Sequence, residues 1–181
     1  MRILGIDPGL QTTGYGLVDY VDARPRLVEG GVIRGGASGN LETRLHAIYT
    51  GVCSVIREFG PTVAVVESLY SQYKHPRTAI LMGHARGVIF LAAAECAIEV
   101  AEYPASLVKR SLTGHGRAGK AQVAAMVAHL LGLATAPEPA DVTDALALAV
   151  CHASPARRIA VPPTAPHHRR ARISLPDEVH R

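Results

Sequence analysis

Four acidic residues stand where an acid is structurally unwelcome or oddly aimed. Asp7 ends the apolar run Ile3-Leu4-Gly5-Ile6, and Glu67 ends the run Val63-Ala64-Val65-Val66. Asp141 and Asp144 lie three apart at the start of an apolar stretch over 142–150. An acid at the end of a strand faces a crevice, and two acids at i and i+3 share one face of a helix. Such a helix can aim both carboxylates at the two strand-borne ones. Each like-charged pair brought to about 4 Å repels by roughly 4 kcal/mol at an effective dielectric near 20, so four together need positive charge to balance them. Oxygen-only carboxylate sites suit Mg2+ or Mn2+, and two such ions about 3.5–4 Å apart promote in-line displacement at phosphorus. The chemistry indicated is metal-dependent hydrolysis of a phosphodiester. Each acid alone has a plainer explanation: the macrodipole favours a carboxylate in the first turn of a helix, and Asp before Pro-Gly starts turns. Only the joint pattern points to a nuclease.

Periodicity and punctuation indicate the elements that must carry these acids. Residues 1–7, 15–20 and 27–34 read as strands, and their short, turn-rich connections over 8–11 and 22–25 predict an antiparallel meander. Leu41, Leu45, Ile48, Val52, Val55 and Ile56 recur at helical spacing, with Asn40 as cap and Gly60-Pro61 as stop. The continuous apolar run ending at Glu67 predicts a strand buried on both faces. A long helix over 76–96, a strand over 97–101, and helices over 104–112, 120–133 and 139–153 complete the pattern. A meander followed by alternating helix and strand predicts an α/β fold, a ribonuclease H-like mixed five-stranded sheet flanked by helices.

The 181 residues, 48% of them hydrophobic, fit one globular domain with a real core. That domain is expected to span 1–154. Residues 155–181 are rich in Pro, Arg and His with few apolar anchors, so they cannot bury enough surface to offset their ordering entropy and read as a flexible tail. The formal charge is +4, and the tail's six Arg against Asp177 and Glu178 account for all of it. Within the neutral remainder, seven basic residues fall between 74 and 120, a clustering that fits a phosphate-binding face. Apolar runs such as 88–94 are short, and Asp7 interrupts the amino terminus too early for a signal-peptide core, so no membrane association or export is expected. Cys53, Cys96 and Cys151 are far apart and show no zinc spacing; they read as reduced thiols of a cytoplasmic protein. The nine histidines are scattered, and His46, His129 and His152 have no partner at ligand spacing.

The motifs Gly5-Ile6-Asp7-Pro8-Gly9, Thr13-Gly14-Tyr15-Gly16, Val66-Glu67, Gly83-His84-Ala85-Arg86-Gly87, Val108-Lys109 and Asp141-Val142-Thr143-Asp144-Ala145-Leu146-Ala147 occur in one order. With the stretch 114–123 they make the sequence resemble the RuvC family of Holliday junction resolvases over 1 to about 154. The resemblance implies a homodimeric endonuclease that binds four-way junction DNA and makes paired symmetric nicks by two-metal hydrolysis, leaving 5′-phosphate and 3′-hydroxyl ends, in recombination and repair. It implies two Mg2+ per active site, with Mn2+ able to substitute, and partnership with the RuvA and RuvB branch-migration proteins. The family's metal-binding catalytic acids fall on Asp7, Glu67, Asp141 and Asp144, and its DNA-contacting lysines on Lys109 and Lys120. Tyr70 matches an aromatic that is often Phe in the family, and its ring can stack on an exposed base. His84 stands where relatives commonly have Gln, and Met82 where Lys is frequent.

Beside that resemblance, Lys109, Arg110 and Lys120 flank the glycine-rich stretch 114–119 and Arg117 lies within it, where close backbone approach and basic side chains suit phosphates. Gly83 and Gly87, four apart, predict close approach of a neighbour, either within the monomer or at a dimer seam. Two other functions fit parts of the pattern. The first strand and turn resemble the phosphate loop of actin and sugar-kinase ATPases, but 181 residues leave no room for their second domain. A catalytically silent junction-binding protein would lack one of the four acids.

Overall fold

The structure, a computed structural model, describes residues 1–36, 39–68 and 76–154. Tyr70 and the tail 155–181 lie outside the described residues. Strands β1 (Arg2–Asp7), β2 (Thr12–Val21) and β3 (Arg24–Arg34) form the expected antiparallel meander. Helix α1 (Leu41–Phe59) leads to β4 (Val63–Glu67), which pairs parallel with β1. Helix α2 (Pro76–Glu95) then leads to β5 (Glu99–Tyr103), parallel to β4. Helices α3 (Ala105–Thr113), α4 (Lys120–Leu131) and α5 (Ala140–Ala153) follow. The sheet order is β3-β2-β1-β4-β5, the mixed five-stranded ribonuclease H-like arrangement.

Strand alternation divides the core. Ile3, Val18, Val63 and Val65 pack against α3, α4 and α5, whereas Leu4, Ile6, Leu17, Ala64 and Val66 pack against α1 and α2. The acids at positions 7 and 67 continue the first set by the period of two, so both project from the face that α5 covers. Asn40 caps α1, its side chain accepting from the Thr43 N–H at 3.2 Å, and Gly60 ends the helix in the left-handed region.

Two boundaries differ from the periodicity. The hairpin between β2 and β3 tightens to Asp22 and Ala23, both with positive φ (51° and 61°), which lets pairing run from Val21 and Arg24 inward. β5 starts two residues later than expected, because Ala97 takes a left-handed conformation (φ 55°) and the Ile98 N–H returns to the Ala93 carbonyl, closing the end of α2.

Helix α2 has apolar residues on all sides, and by length and composition alone its Arg77–Glu95 stretch is apolar enough to cross a membrane. Short apolar runs conceal this, since glycine and histidine interrupt them. One face carries buried Ala85, Ile89 and Ala92 into the core. Another presents Ile80 and Leu91, 61% and 50% exposed. Gly83 and Gly87 have nothing within 4 Å of where a Cβ would stand, so the reading of close packing within the monomer is corrected.

Candidate active site

The acids on β1 and β4 are brought level by the parallel register Gly5↔Val65 and Ile6↔Val66. Asp7 is also directly opposite Gly14 in the β1–β2 pair. Over Gly14 lies the first turn of α5: a Cβ added there would stand 2.8 Å from the Asp141 Cβ and collide with the Asp141 carbonyl. A Cβ on Gly5 would collide with the Ala145 carbonyl and stand 3.0 Å from the Ala149 nitrogen. Helix α5 therefore lies flush on bare sheet backbone, and its first turn reaches the strand-borne acids. Thr13, fully buried, donates to the Gly9 carbonyl at 2.8 Å and closes the turn after Asp7.

Asp7, Glu67 and Asp144 line one cleft of about 310 Å³, with Lys109 and Lys120 on its wall beside Ala105, Val108, Val123 and Leu148. Asp141 sits outside that lining, beside Gly14. Arg110 and Arg117 are exposed and do not line the cleft. Lys120 Nζ donates to Asp144 Oδ2 at 3.0 Å, a partnership that the spacing alone does not reveal. Lys120 is 79% exposed in its side chain, so this ion pair contributes at most about 1 kcal/mol.

Burial and charge act on both strand-borne acids. Burial, then Asp144, Glu67 and Asp141, push the Asp7 carboxyl up to about 7 against the pull of Lys120. Burial and then Asp144 raise Glu67, opposed by Lys109, Lys120 and Arg86. The charge of Asp144 holds the Lys120 ammonium above its ordinary range, chiefly through their hydrogen bond. Asp7 thus feels all three of the other acids. Among the described residues, no three carboxylate, histidine or cysteine side chains converge as a ready-made cage for one ion. The donor chemistry nevertheless fits a hard divalent cation: the carboxylates offer oxygen alone, and Asp7, Glu67 and Asp144 line one cleft.

The raised Asp7 has a consequence for stability. Its folded carboxyl keeps a proton that the unfolded chain has already released, so the stability it confers is complete below 3.8 and is lost as pH rises through about 7. Asp7→Asn should therefore stabilise the metal-free protein at pH 8, by on the order of 2 kcal/mol after allowing for relaxation of the cluster. Thermal unfolding of both proteins at pH 5 and pH 8 would test this; a gap that does not widen with pH would refute the placement of Asp7.

Arg86 falls by sequence among the basic residues expected on a phosphate-facing surface, and the structure corrects this. It is 5% exposed, and its guanidinium donates to the Glu67 carbonyl and to Glu102 Oε2, the latter at 2.6 Å. The available signal is a lone arginine within the inward-facing set Ala85, Ile89 and Ala92 of an apolar helix.

Residues 3–152 match the family model of the crossover junction endodeoxyribonuclease RuvC. The chain belongs to the RuvC family. It is similar to the Rhodopirellula baltica crossover junction endodeoxyribonuclease RuvC, 48% identical over 149 residues that cover 82% of this chain and 84% of that one. Its fold is similar to the Thermus thermophilus RuvC structure, with TM-score 0.80 and 36% identity over 87% of this chain and 96% of that one. T. thermophilus RuvC in complex with a Holliday junction substrate matches with TM-score 0.79 and 33% identity, covering 88% of this chain and 96% of that one. As a RuvC-family member the chain is a metal-dependent nuclease that hydrolyses DNA phosphodiester bonds.

Proposed function

We propose that this RuvC-family nuclease resolves four-way DNA junctions as a homodimer, cutting two strands of like polarity with Asp7, Glu67, Asp141 and Asp144 as its catalytic carboxylates. The convergence of Asp7, Glu67 and Asp144 in one cleft walled by Lys109 and Lys120 carries this reading. When bound among the four acids, two Mg2+ ions, or Mn2+ in their place, would supply a more acidic water and offset charge on the departing 3′ oxygen. Asp7, at the centre of the carboxylates, and Glu67, level with it on β4, hold the floor of the cleft. Asp141 and Asp144 approach from α5. Lys109 and Lys120 draw in phosphates, and Lys120 exchanges Asp144 for one of them. With water as nucleophile and the 3′ oxygen as leaving group, the cut leaves 5′-phosphate and 3′-hydroxyl ends and needs no covalent protein intermediate.

A twofold protein suits a twofold junction. The stripe of Ile80, Gly83, Gly87 and Leu91 on α2, with both large side chains exposed and open space above its glycines, supports a second copy as its partner. Partnership with RuvA and RuvB, action in the cytoplasm, junction contacts by Tyr70, Arg110 and Arg117, and a flexible tail beyond a domain of 1–154 rest on the sequence alone. The direct test is a mobile synthetic junction incubated with Mg2+ and mapped strand by strand. Symmetric nicks in two like-polarity strands are expected; DNA-independent ATP hydrolysis, or binding without nicks, would favour the other two functions.

Lys120→Ala should weaken binding to every junction sequence and flatten the plot of log affinity against log salt by about 0.9 for each phosphate that the lysine no longer neutralises. Titrations from about 50 to 200 mM salt would measure it. An unchanged slope would confine Lys120 to its partnership with Asp144.

A further inference from the structure

We propose that Arg86 is a positioning residue for cleavage, fixing the end of β4, and with it the Glu67 carboxylate, from the face of the sheet opposite the catalytic cleft. Glu67 projects its side chain toward α5, while its backbone carbonyl accepts from Arg86 Nη1. The same guanidinium holds Glu102 Oε2 at 2.6 Å on β5, and Glu102 pairs with Val66, the residue before Glu67. One buried planar cation thus ties the last residue of β4 to its neighbouring strand. Phe90, one helical turn along α2, lies under the guanidinium at 4.9 Å and restrains its plane.

Three features separate this arrangement from an ordinary core packing site. A buried arginine costs much to desolvate, and an apolar side chain of similar size would pack beside Ala85 and Ile89 without that cost. The bond is made to the one residue of β4 that carries a cleft acid, not to a strand interior. The ammonium of lysine could supply the charge but not two hydrogen bonds in one plane. The positive charge also opposes the rise of the Glu67 carboxyl, whose larger causes are burial and Asp144. Groups that act through a ligand in this way typically change metal affinity or activity by about 10–100-fold when replaced.

The inference rests on Glu67 being a metal-binding carboxylate, so Glu67→Gln accompanies the test. For full-length wild type, Arg86→Lys and Glu67→Gln, three quantities are measured: Mn2+ binding by electron paramagnetic resonance without DNA, junction affinity in Ca2+, and the single-turnover nicking rate at saturating junction across Mg2+ concentrations. Arg86→Lys is expected to keep its junction affinity while Mn2+ binding weakens, or the saturating rate falls, by about 10–100-fold. Wild-type Mn2+ affinity and saturating rate in Arg86→Lys would overturn the proposal, and so would a loss of junction affinity equal to the loss of rate. If Arg86→Lys does not accumulate as folded protein, the same readings on Glu102→Gln decide in the same sense, since Glu102 is 46% exposed in its side chain and its amide preserves the shape. A Glu67→Gln protein that binds Mn2+ and nicks like wild type would instead sink the assignment of Glu67, whatever Arg86→Lys does.

Discussion

Asp7→Asn should abolish junction nicking, by at least about 10³-fold, while the protein still folds and still binds junctions. The amide keeps the size of the carboxylate but removes its charge from the centre of the cluster, where Asp144, Glu67 and Asp141 all act on it. Loss of several kcal/mol of transition-state charge stabilisation corresponds to that factor. Binding should survive because Lys109 and Lys120, on the wall of the cleft, are untouched. Calcium should give the same division in the wild type, supporting binding with little cleavage, since its looser coordination positions water poorly. The decisive measurement is single-turnover nicking beside equilibrium binding on one junction. Residual nicking near the wild-type rate would remove Asp7 from the catalytic set, and loss of binding in proportion to cleavage would show that the substitution had disturbed the fold.

Gly5→Ala should be among the most damaging single-methyl changes available. The added Cβ meets the Ala145 carbonyl and stands 3.0 Å from the Ala149 nitrogen, so the clash is with backbone on two successive turns of α5 and no rotamer relieves it. Either the protein loses about 3 kcal/mol or more of stability, or α5 lifts from the sheet. A lift of about 1 Å would move Asp141 and Asp144 away from Asp7 and Glu67, and a displacement of that size can cost about 10²-fold in rate. Denaturant unfolding together with saturating nicking separates the two responses. Wild-type stability combined with wild-type nicking would contradict the flush packing of α5.

That packing marks the boundary between what could be read from residues and what could not. The strand and helix periods determine which residues share a face, so the acids ending two apolar runs and the pair at i and i+3 were legible, as were the meander, the buried strand β4 and the cap at Asn40. The glycines at 5, 14 and 16 were visible as a motif, but not as the bare floor on which α5 rests, because close approach is a property of two elements far apart in the chain. The same holds for partners: Lys120 could be read as a phosphate ligand from its flanking glycines, yet its bond to Asp144 exists only because α4 packs beside α5. Arg86 is the sharpest case. Charge and sequence position placed it on a basic surface, whereas burial of the Ala85 and Ile89 face turned it inward to the Glu67 carbonyl. Residue chemistry and local period thus determined which groups could act, and long-range packing, which local period does not encode, decided which of them meet.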